Sequence, residues 1–210
     1  MFASVPLAHP AVTLTVTPTG LGYRVFDTHG CPTYFGDAVH FTQDICSVAL
    51  NGPILDAAVR PQGDGYWLAA SDGGVFTFGL APFDGSMGGK RLNGPVVGMA
   101  DAPDGSGYWE VATDGGIFSF NVPFLGSMGS TPLNKPVVGM VASGTGYMMV
   151  AADGGVFNFG NPFFGSLGAT TIPHPIVSIA PSYDAFGQPN GYWMLDTAGT
   201  IYAFGSAWLP

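Results

Sequence analysis

Apolar runs of four to eight residues alternate with short turn sequences along the chain. In one stretch the runs occupy residues 95–102, 107–113, 116–120 and 123–129, separated by Pro-Asp-Gly, Asp-Gly-Gly and a proline-led turn. Asp-Gly between two apolar runs favours a β-hairpin, because type I′ turns require positive φ angles. Runs of this length that are rich in β-branched and aromatic residues predict strands, and the helical period is missing.

The same pattern occurs five times. A Gly-Tyr pair marks each copy, with tyrosines at 23, 66, 108, 147 and 192, which are 43, 42, 39 and 45 residues apart. Four antiparallel strands in about 42 residues are the usual content of a β-propeller blade. Solenoid repeats of similar length would need helices, so the repeats predict an all-β propeller.

The two ends of the chain suggest how the ring closes. The fifth copy lacks its fourth run, whereas Ala3-Ser4-Val5 aligns with Gly85-Ser86-Met87 of the second copy. An open array would expose strand edges, which natural proteins avoid. We therefore expect a single closed five-bladed β-propeller, one domain over residues 1–210, in which the N-terminal strand completes the last blade.

Composition narrows the possible partners. The net charge is −9 and only five residues are lysine or arginine, so the chain cannot neutralise several phosphates, and nucleic-acid binding is not expected. No apolar run approaches about 18 residues, so membrane insertion is not expected either. The first residues have neither a basic region nor a long apolar region, and they do not predict a signal peptide.

The repeat unit GYWxxAxDGGxFxFGxxPFxGSMG resembles one that is common in secreted and surface proteins of actinobacteria. There it often lies beside domains that cleave the cell wall, and the resemblance implies a propeller fold. It also implies binding to the cell envelope or its glycans, without implying a common activity. The copies differ at two places. His29 and Ala198 replace the aspartates of the Asp-Gly-Gly turn, and Arg24 and Met148 replace the tryptophan of Gly-Tyr-Trp.

Cys31 and Cys46 are the only cysteines. They align with two glycines in the other repeats, Gly74 and Gly88 in the second, at the start of the third run and the end of the fourth. These ends face each other in an antiparallel hairpin, so the register predicts a cross-strand disulfide; the alternative is two buried free thiols. Closing this loop would stabilise the fold by roughly 3 kcal/mol.

Two sets of side chains are candidates for ligand binding. Indoles can stack on sugar rings and donate to a hydroxyl, and turn carboxylates can accept from sugar hydroxyls. Packing between blades and ordinary turn chemistry explain the same residues without a ligand. The candidates are Trp67, Trp109, Trp193, Asp72, Asp114 and Asp153.

Catalytic motifs are sparse. The sequence has one glutamate, no Gly-x-Ser-x-Gly elbow, no phosphate loop and no dinucleotide motif. Its four histidines lie in different repeat contexts, and no metal site, cofactor or enzymatic activity is predicted.

We therefore expect a non-catalytic, lectin-like binding module of an extracellular or phage-virion surface assembly, which recognises a cell-envelope carbohydrate. The alternative is a structural or protein-docking subunit, such as a virion decoration or adaptor protein. A mean hydropathy of +0.31 with few charges favours this second hypothesis.

Overall fold

Each repeat folds into three short antiparallel strands, in a computed structural model that describes residues 7–207. The middle strand pairs with the strands before and after it in the chain, so each sheet has sequential strand order. The first pairing of every repeat shifts register near its start, as between Val96 and Gly98. The predicted all-β class is therefore confirmed.

The first compact unit, Met1–Lys90, contains two of these sheets. Their first strands contact each other, and Phe26, Ile54, Tyr66 and Leu68 are fully buried between the sheets. The strands are β1 Ala11–Val16, β2 Tyr23–Asp27, β3 Pro32–Phe35, β4 Ile54–Val59, β5 Gly65–Ala70 and β6 Val75–Gly79.

The second compact unit, Arg91–Pro210, contains the other three sheets. Middle strands β8 and β11 are buried at every position. For β11, neighbouring sheets of this unit cover both faces. The strands are β7 Val96–Asp101, β8 Tyr108–Ala112, β9 Ile117–Phe120, β10 Val137–Ser143, β11 Gly146–Ala151, β12 Val156–Phe159, β13 Ile176–Tyr183, β14 Pro189–Asp196 and β15 Ile201–Gly205.

The predicted closed five-bladed propeller with four strands per blade is wrong. Residues 7–207 form five separate three-stranded sheets, and none of these sheets is closed. In the four repeats that contain a fourth run, this run is not a strand. Residues 3–5, which were expected to complete the last blade, lie outside the described residues.

The sequence of the fourth run explains why it does not pair as a strand. Pro123 removes a backbone donor, and Gly126 has a φ of +135°, which interrupts the extended conformation. One backbone hydrogen bond, from Met128 N to Gly115 O at 2.9 Å, holds this run to its own repeat. The second and fourth repeats have the same single bond, which is too little to extend a ladder.

Residues 7–207 contain no helix with the length and apolar content that a membrane-spanning segment requires.

Candidate functional site

The tryptophans of the second and third repeats are buried and hold the loop that follows the third strand. Trp67 Nε1 donates to the carbonyl oxygen of Pro82 at 2.7 Å, and Trp109 Nε1 donates to that of Pro123 at 2.9 Å. Their exposed fractions are 0% and 2%. Neither ring has a free face or a free N–H for a sugar. Trp193, in β14, is half-buried.

Repeats that lack this tryptophan use another donor at the same place. In the first repeat, Arg24 Nη2 donates to Val39 O at 3.2 Å. In the fourth repeat Met148 has no donor, and its cross-strand partner Asn158 donates through Nδ2 to Pro162 O. The hydrogen bond to this loop carbonyl is therefore retained although the residue that makes it changes.

Arg24 occupies its position at an electrostatic cost. It is 1% exposed, and neither its Nε nor its Nη1 has a hydrogen-bond partner among the described residues. The rings of Tyr66 and Phe41 lie 5.5 Å from the guanidinium carbon and Tyr34 lies 6.0 Å away, close enough for cation–π attraction. Burial nevertheless lowers the pKa of Arg24.

A second hydrogen bond fixes the same loop in the second unit. The hydroxyl of Tyr147 donates to Gly126 O at 2.6 Å and accepts from Leu125 N at 3.2 Å. Phe124 thus lies between two fixed carbonyls, those of Pro123 and Gly126, yet its side chain is 61% exposed. Phe163 is equally exposed between Pro162 and Gly165, whose carbonyls accept from Asn158 and Tyr192.

The candidate aspartates Asp72, Asp114 and Asp153 all cap their turns. In each, Oδ1 accepts from the backbone N–H two residues later, at 2.9–3.0 Å. This is the Asx-turn geometry that the sequence favours. The second carboxylate oxygen can accept a hydrogen bond from a ligand.

Two clefts in the second unit contain two of these aspartates. Asp114 lines a cleft of about 460 Å³, and Asp153 lines a second one of about 330 Å³. Residues 131–135 line both clefts. Their volumes lie at the lower end of the range for small-ligand sites.

The smaller cleft, here called the Asp153 cleft, combines the Asp153 carboxylate with three other kinds of group. Phe157, which is half-buried, supplies an aromatic surface, and Lys135 is one of the chain's five cationic side chains. Ser166, Asn134 and Thr131 add neutral hydrogen-bonding groups. An aromatic face beside a carboxylate, an ammonium and several hydroxyl or amide groups can bind a ligand with many hydroxyls.

The predicted disulfide is confirmed, because Cys31 and Cys46 are bonded and their Cα atoms lie 5.0 Å apart. The expected facing positions are confirmed as well. A Cβ added to Gly129 would lie 2.9 Å from Gly116 Cα, and one on Gly88 would lie 3.1 Å from Gly74 Cα. The bond does not join two strands, however, since Cys31 precedes β3 and Cys46 lies in a turn. It is compatible with an extracellular protein.

A group of metal-ligand type occurs in the first unit, where none was expected. His9 and His29 stack with ring centroids 3.7 Å apart, beside the buried carboxylate of Asp27. An alignment of the repeats on the aspartate of the Asp-Gly-Gly turn does not reveal these three residues. In the first repeat the aspartate is Asp27, two residues before the position that Asp72 occupies in the second repeat. The available signal was the double change at that turn, from Ala70 and Asp72 in the second repeat to Asp27 and His29 in the first.

No protein-family model matches the chain, and no curated protein matches it. Among solved structures, the chain is similar to a structural genomics protein of unknown function from Bacteroides thetaiotaomicron. The TM-score is 0.56 at 11% identity, over 90% of this chain and 52% of the other, so the chain spans about half the length of that structure. This likeness concerns the fold alone.

Proposed function

We propose that this chain is a non-catalytic binding module of an extracellular or virion-surface assembly, and that it recognises a cell-envelope carbohydrate in the Asp153 cleft. The observation that carries the proposal is the juxtaposition of Phe157, Asp153 and Lys135 in one open cleft. The aromatic ring offers an apolar face to the C–H face of a sugar. The carboxylate accepts from sugar hydroxyls, and the ammonium donates to them or pairs with an acidic group of the glycan.

The site differs from the one that the tryptophans suggested. Trp67 and Trp109 are buried with their N–H groups occupied, so the proposal uses Phe157 as the aromatic surface. Of the candidate aspartates, it uses Asp153 and leaves Asp72 as a turn cap in the first unit.

Calorimetric titration with soluble wall polysaccharides and peptidoglycan fragments tests the proposal. Asp153→Asn keeps an oxygen that caps the turn but removes the charge, and Lys135→Gln removes the cation. Each should weaken binding about tenfold, as expected for a hydrogen bond to a charged group. Asp72→Asn makes the same change in the first unit and should bind as the parent does. Equal weakening by Asp72→Asn, or no binding to any fragment, would contradict the proposal.

The repeated exposed phenylalanines favour a second candidate function, docking to a protein. Phe83, Phe124 and Phe163 follow the same proline in three repeats and are 61–62% exposed. Rings held in fixed loops bind a partner with little loss of conformational entropy. Phe124→Ser combined with Phe163→Ser should then abolish assembly with purified virion or surface proteins and leave glycan binding intact. Loss of glycan binding in that variant, with assembly unchanged, would count against docking.

A further inference from the structure

Three residues with metal-binding side chains meet at the turn between β2 and β3. His9, Asp27 and His29 each offer one ligand atom, and these atoms lie within 4.8 Å of one another. His9 Nδ1 and Asp27 Oδ2 are 3.1 Å apart. The imidazoles stack at an interplanar angle of 24°. Asp27 is 2% exposed, whereas the His9 side chain is 40% exposed and His29 is exposed, so a solute can reach both rings.

The carboxylate is held in place by the turn itself. Asp27 Oδ1 accepts from His29 N at 2.9 Å and from Cys31 N at 3.0 Å. Burial alone would raise the pKa of Asp27, but these N–H groups and the His9 ring hold it below its usual value. Asp27 is therefore ionised at neutral pH and has Oδ2 directed at His9.

Asp27 also caps the turn, a role that residue 29 has in the equivalent position of other repeats. In the second, third and fourth repeats the turn is capped by the aspartate at the position equivalent to His29, such as Asp114. With the cap moved to Asp27, the side chain of His29 does not cap the turn, and its one hydrogen-bond contact among the described residues is with the Thr28 hydroxyl, 3.3 Å from Nδ1.

The fifth repeat shows that the moved cap does not need this histidine. Asp196 caps its turn from the shifted position, accepting from Ala198 N and Thr200 N at 2.9 and 2.8 Å. His174 precedes Pro175 there as His9 precedes Pro10, but Ala198 stands where the first repeat has His29. The fifth repeat therefore has the carboxylate and one histidine and lacks the second imidazole.

We propose that His9, Asp27 and His29 bind one divalent transition-metal ion of the zinc class. Two imidazole nitrogens and one carboxylate oxygen are ligands that Zn²⁺ prefers, whereas Ca²⁺ and Mg²⁺ prefer oxygen alone. With bonds of about 2.0–2.2 Å, tetrahedral ligands lie about 3.3–3.5 Å apart. The His9–Asp27 pair is already near this separation, and His29 can approach because its ring is exposed.

The ion takes the place of a proton. In its absence, His9 Nδ1 lies 3.1 Å from Asp27 Oδ2, and because a carboxylate can only accept, the hydrogen of this bond belongs to Nδ1. On binding, solvent carries this hydrogen from Nδ1 to Nε2, so the ring stays neutral and the Nδ1 lone pair binds the metal, while Asp27 remains anionic. Oδ1 keeps its two backbone hydrogen bonds, so the turn need not rearrange.

Titration of the full chain, without a polyhistidine tag, with zinc chloride tests the proposal. We expect one ion per chain, and the variants His29→Ala and His9→Ala should each bind at least about tenfold more weakly, because each removes one of three ligands. His174→Ala should bind as the parent does. Near-UV circular dichroism identifies any variant that fails to fold; His29→Ala should fold, since the fifth repeat has alanine there.

Three results would overturn the proposal: no saturable binding up to millimolar zinc, unchanged affinity in folded His29→Ala, or loss of binding in His174→Ala. Visible absorption of bound Co²⁺ is a second readout, since a site with two imidazoles and a carboxylate gives d–d bands that His29→Ala should change. His9, Asp27 and His29 lie in the first unit and the Asp153 cleft lies in the second, so the outcome of the zinc titration does not depend on glycan binding.

Discussion

The indole N–H of Trp109 donates to the carbonyl oxygen of Pro123 at 2.9 Å, and this bond fixes the loop after the third strand. In the fourth repeat the corresponding proline is Pro162, and its carbonyl oxygen accepts from Asn158 Nδ2. Asn158 lies in β12, opposite Met148 of β11. Tryptophan with Ser119 and methionine with Asn158 are thus two solutions to one requirement. The requirement is a side-chain donor for the loop carbonyl that follows the third strand.

Exchanging one solution for the other tests this relationship. Trp109→Met should lower the free energy of unfolding by about 2–4 kcal/mol, because it removes both packing area and the donor. Adding Ser119→Asn should recover about 1 kcal/mol by restoring the hydrogen bond. Urea unfolding of both single variants and the double variant measures the coupling. Simple additivity of the two changes would show that the carbonyl needs no donor.

The disulfide makes a separate contribution. Replacing Cys31 and Cys46 by serine should lower the free energy of unfolding by roughly 3 kcal/mol, the value for closing a loop of about 15 residues. Urea unfolding of the variant, beside the parent with and without reductant, measures it. If reduction leaves the parent's midpoint unchanged, the bond does not stabilise the fold.

The turn aspartates have two roles in this account, capping the turn and binding a ligand, and their effect on stability measures the first. Asp114→Ala should lower the free energy of unfolding by about 1 kcal/mol, because Gly116 N loses its acceptor. Asp114→Asn retains an acceptor oxygen and should unfold close to the parent in thermal denaturation. An asparagine variant as unstable as the alanine variant would show that the charge itself holds the turn.

Asp101 predicts a pH dependence of stability. Burial raises its pKa to about 6, from an ordinary value of 3.8. The folded state then holds this proton more tightly than the unfolded state, so the contribution of Asp101 is full below about pH 4 and is lost as the pH rises through about 6. Relative to the parent, the free energy of unfolding of Asp101→Asn should therefore rise by about 2 kcal/mol between pH 4 and pH 7.

Asp104 provides the opposite control in the same hairpin. Hydrogen bonds from the side chain and backbone of Ser106 hold its pKa below the ordinary value. Any stability that it contributes is present at neutral pH and disappears on acidification. Asp104→Asn should therefore lose stability relative to the parent as the pH rises from 3 to 7. If the free energies of unfolding of the two variants, each relative to the parent, changed with pH in the same direction, this would contradict the buried environment of Asp101.

The features that could be predicted from the sequence are those that depend on neighbouring residues along the chain. Five repeats, three strands in each and the turns between them follow from alternation and Asp-Gly pairs. The facing glycines followed from register, and with them the bond between Cys31 and Cys46. The prediction of a fourth strand was wrong because it relied on the apolar content of that run. Pro123 lacks a backbone N–H, and Gly126 adopts a positive φ angle, and both interrupt a strand there.

The candidate site depended on contacts that the sequence does not show. Whether Trp109 faces a ligand or the core is decided by neighbouring sheets, since both faces of a middle strand can be buried. The stacked histidines require His9 to reach a turn 20 residues later in the chain, and the pairing of β1 with β2, which places Ala11 opposite Asp27, brings them there. Lys135 and Phe157 likewise come together only when consecutive repeats pack.

Mapping of chemical-shift changes by NMR, as a soluble cell-wall glycan is added, tests the central claim most directly. Binding at the Asp153 cleft predicts changes concentrated at Lys135, Asp153 and Phe157 that saturate together and are reduced in Asp153→Asn. The indole N–H of Trp109 should remain at its original position, because it stays bonded to Pro123. Changes centred instead on Phe124 and Phe163, or a spectrum unaltered by any envelope glycan, would contradict carbohydrate recognition at this cleft.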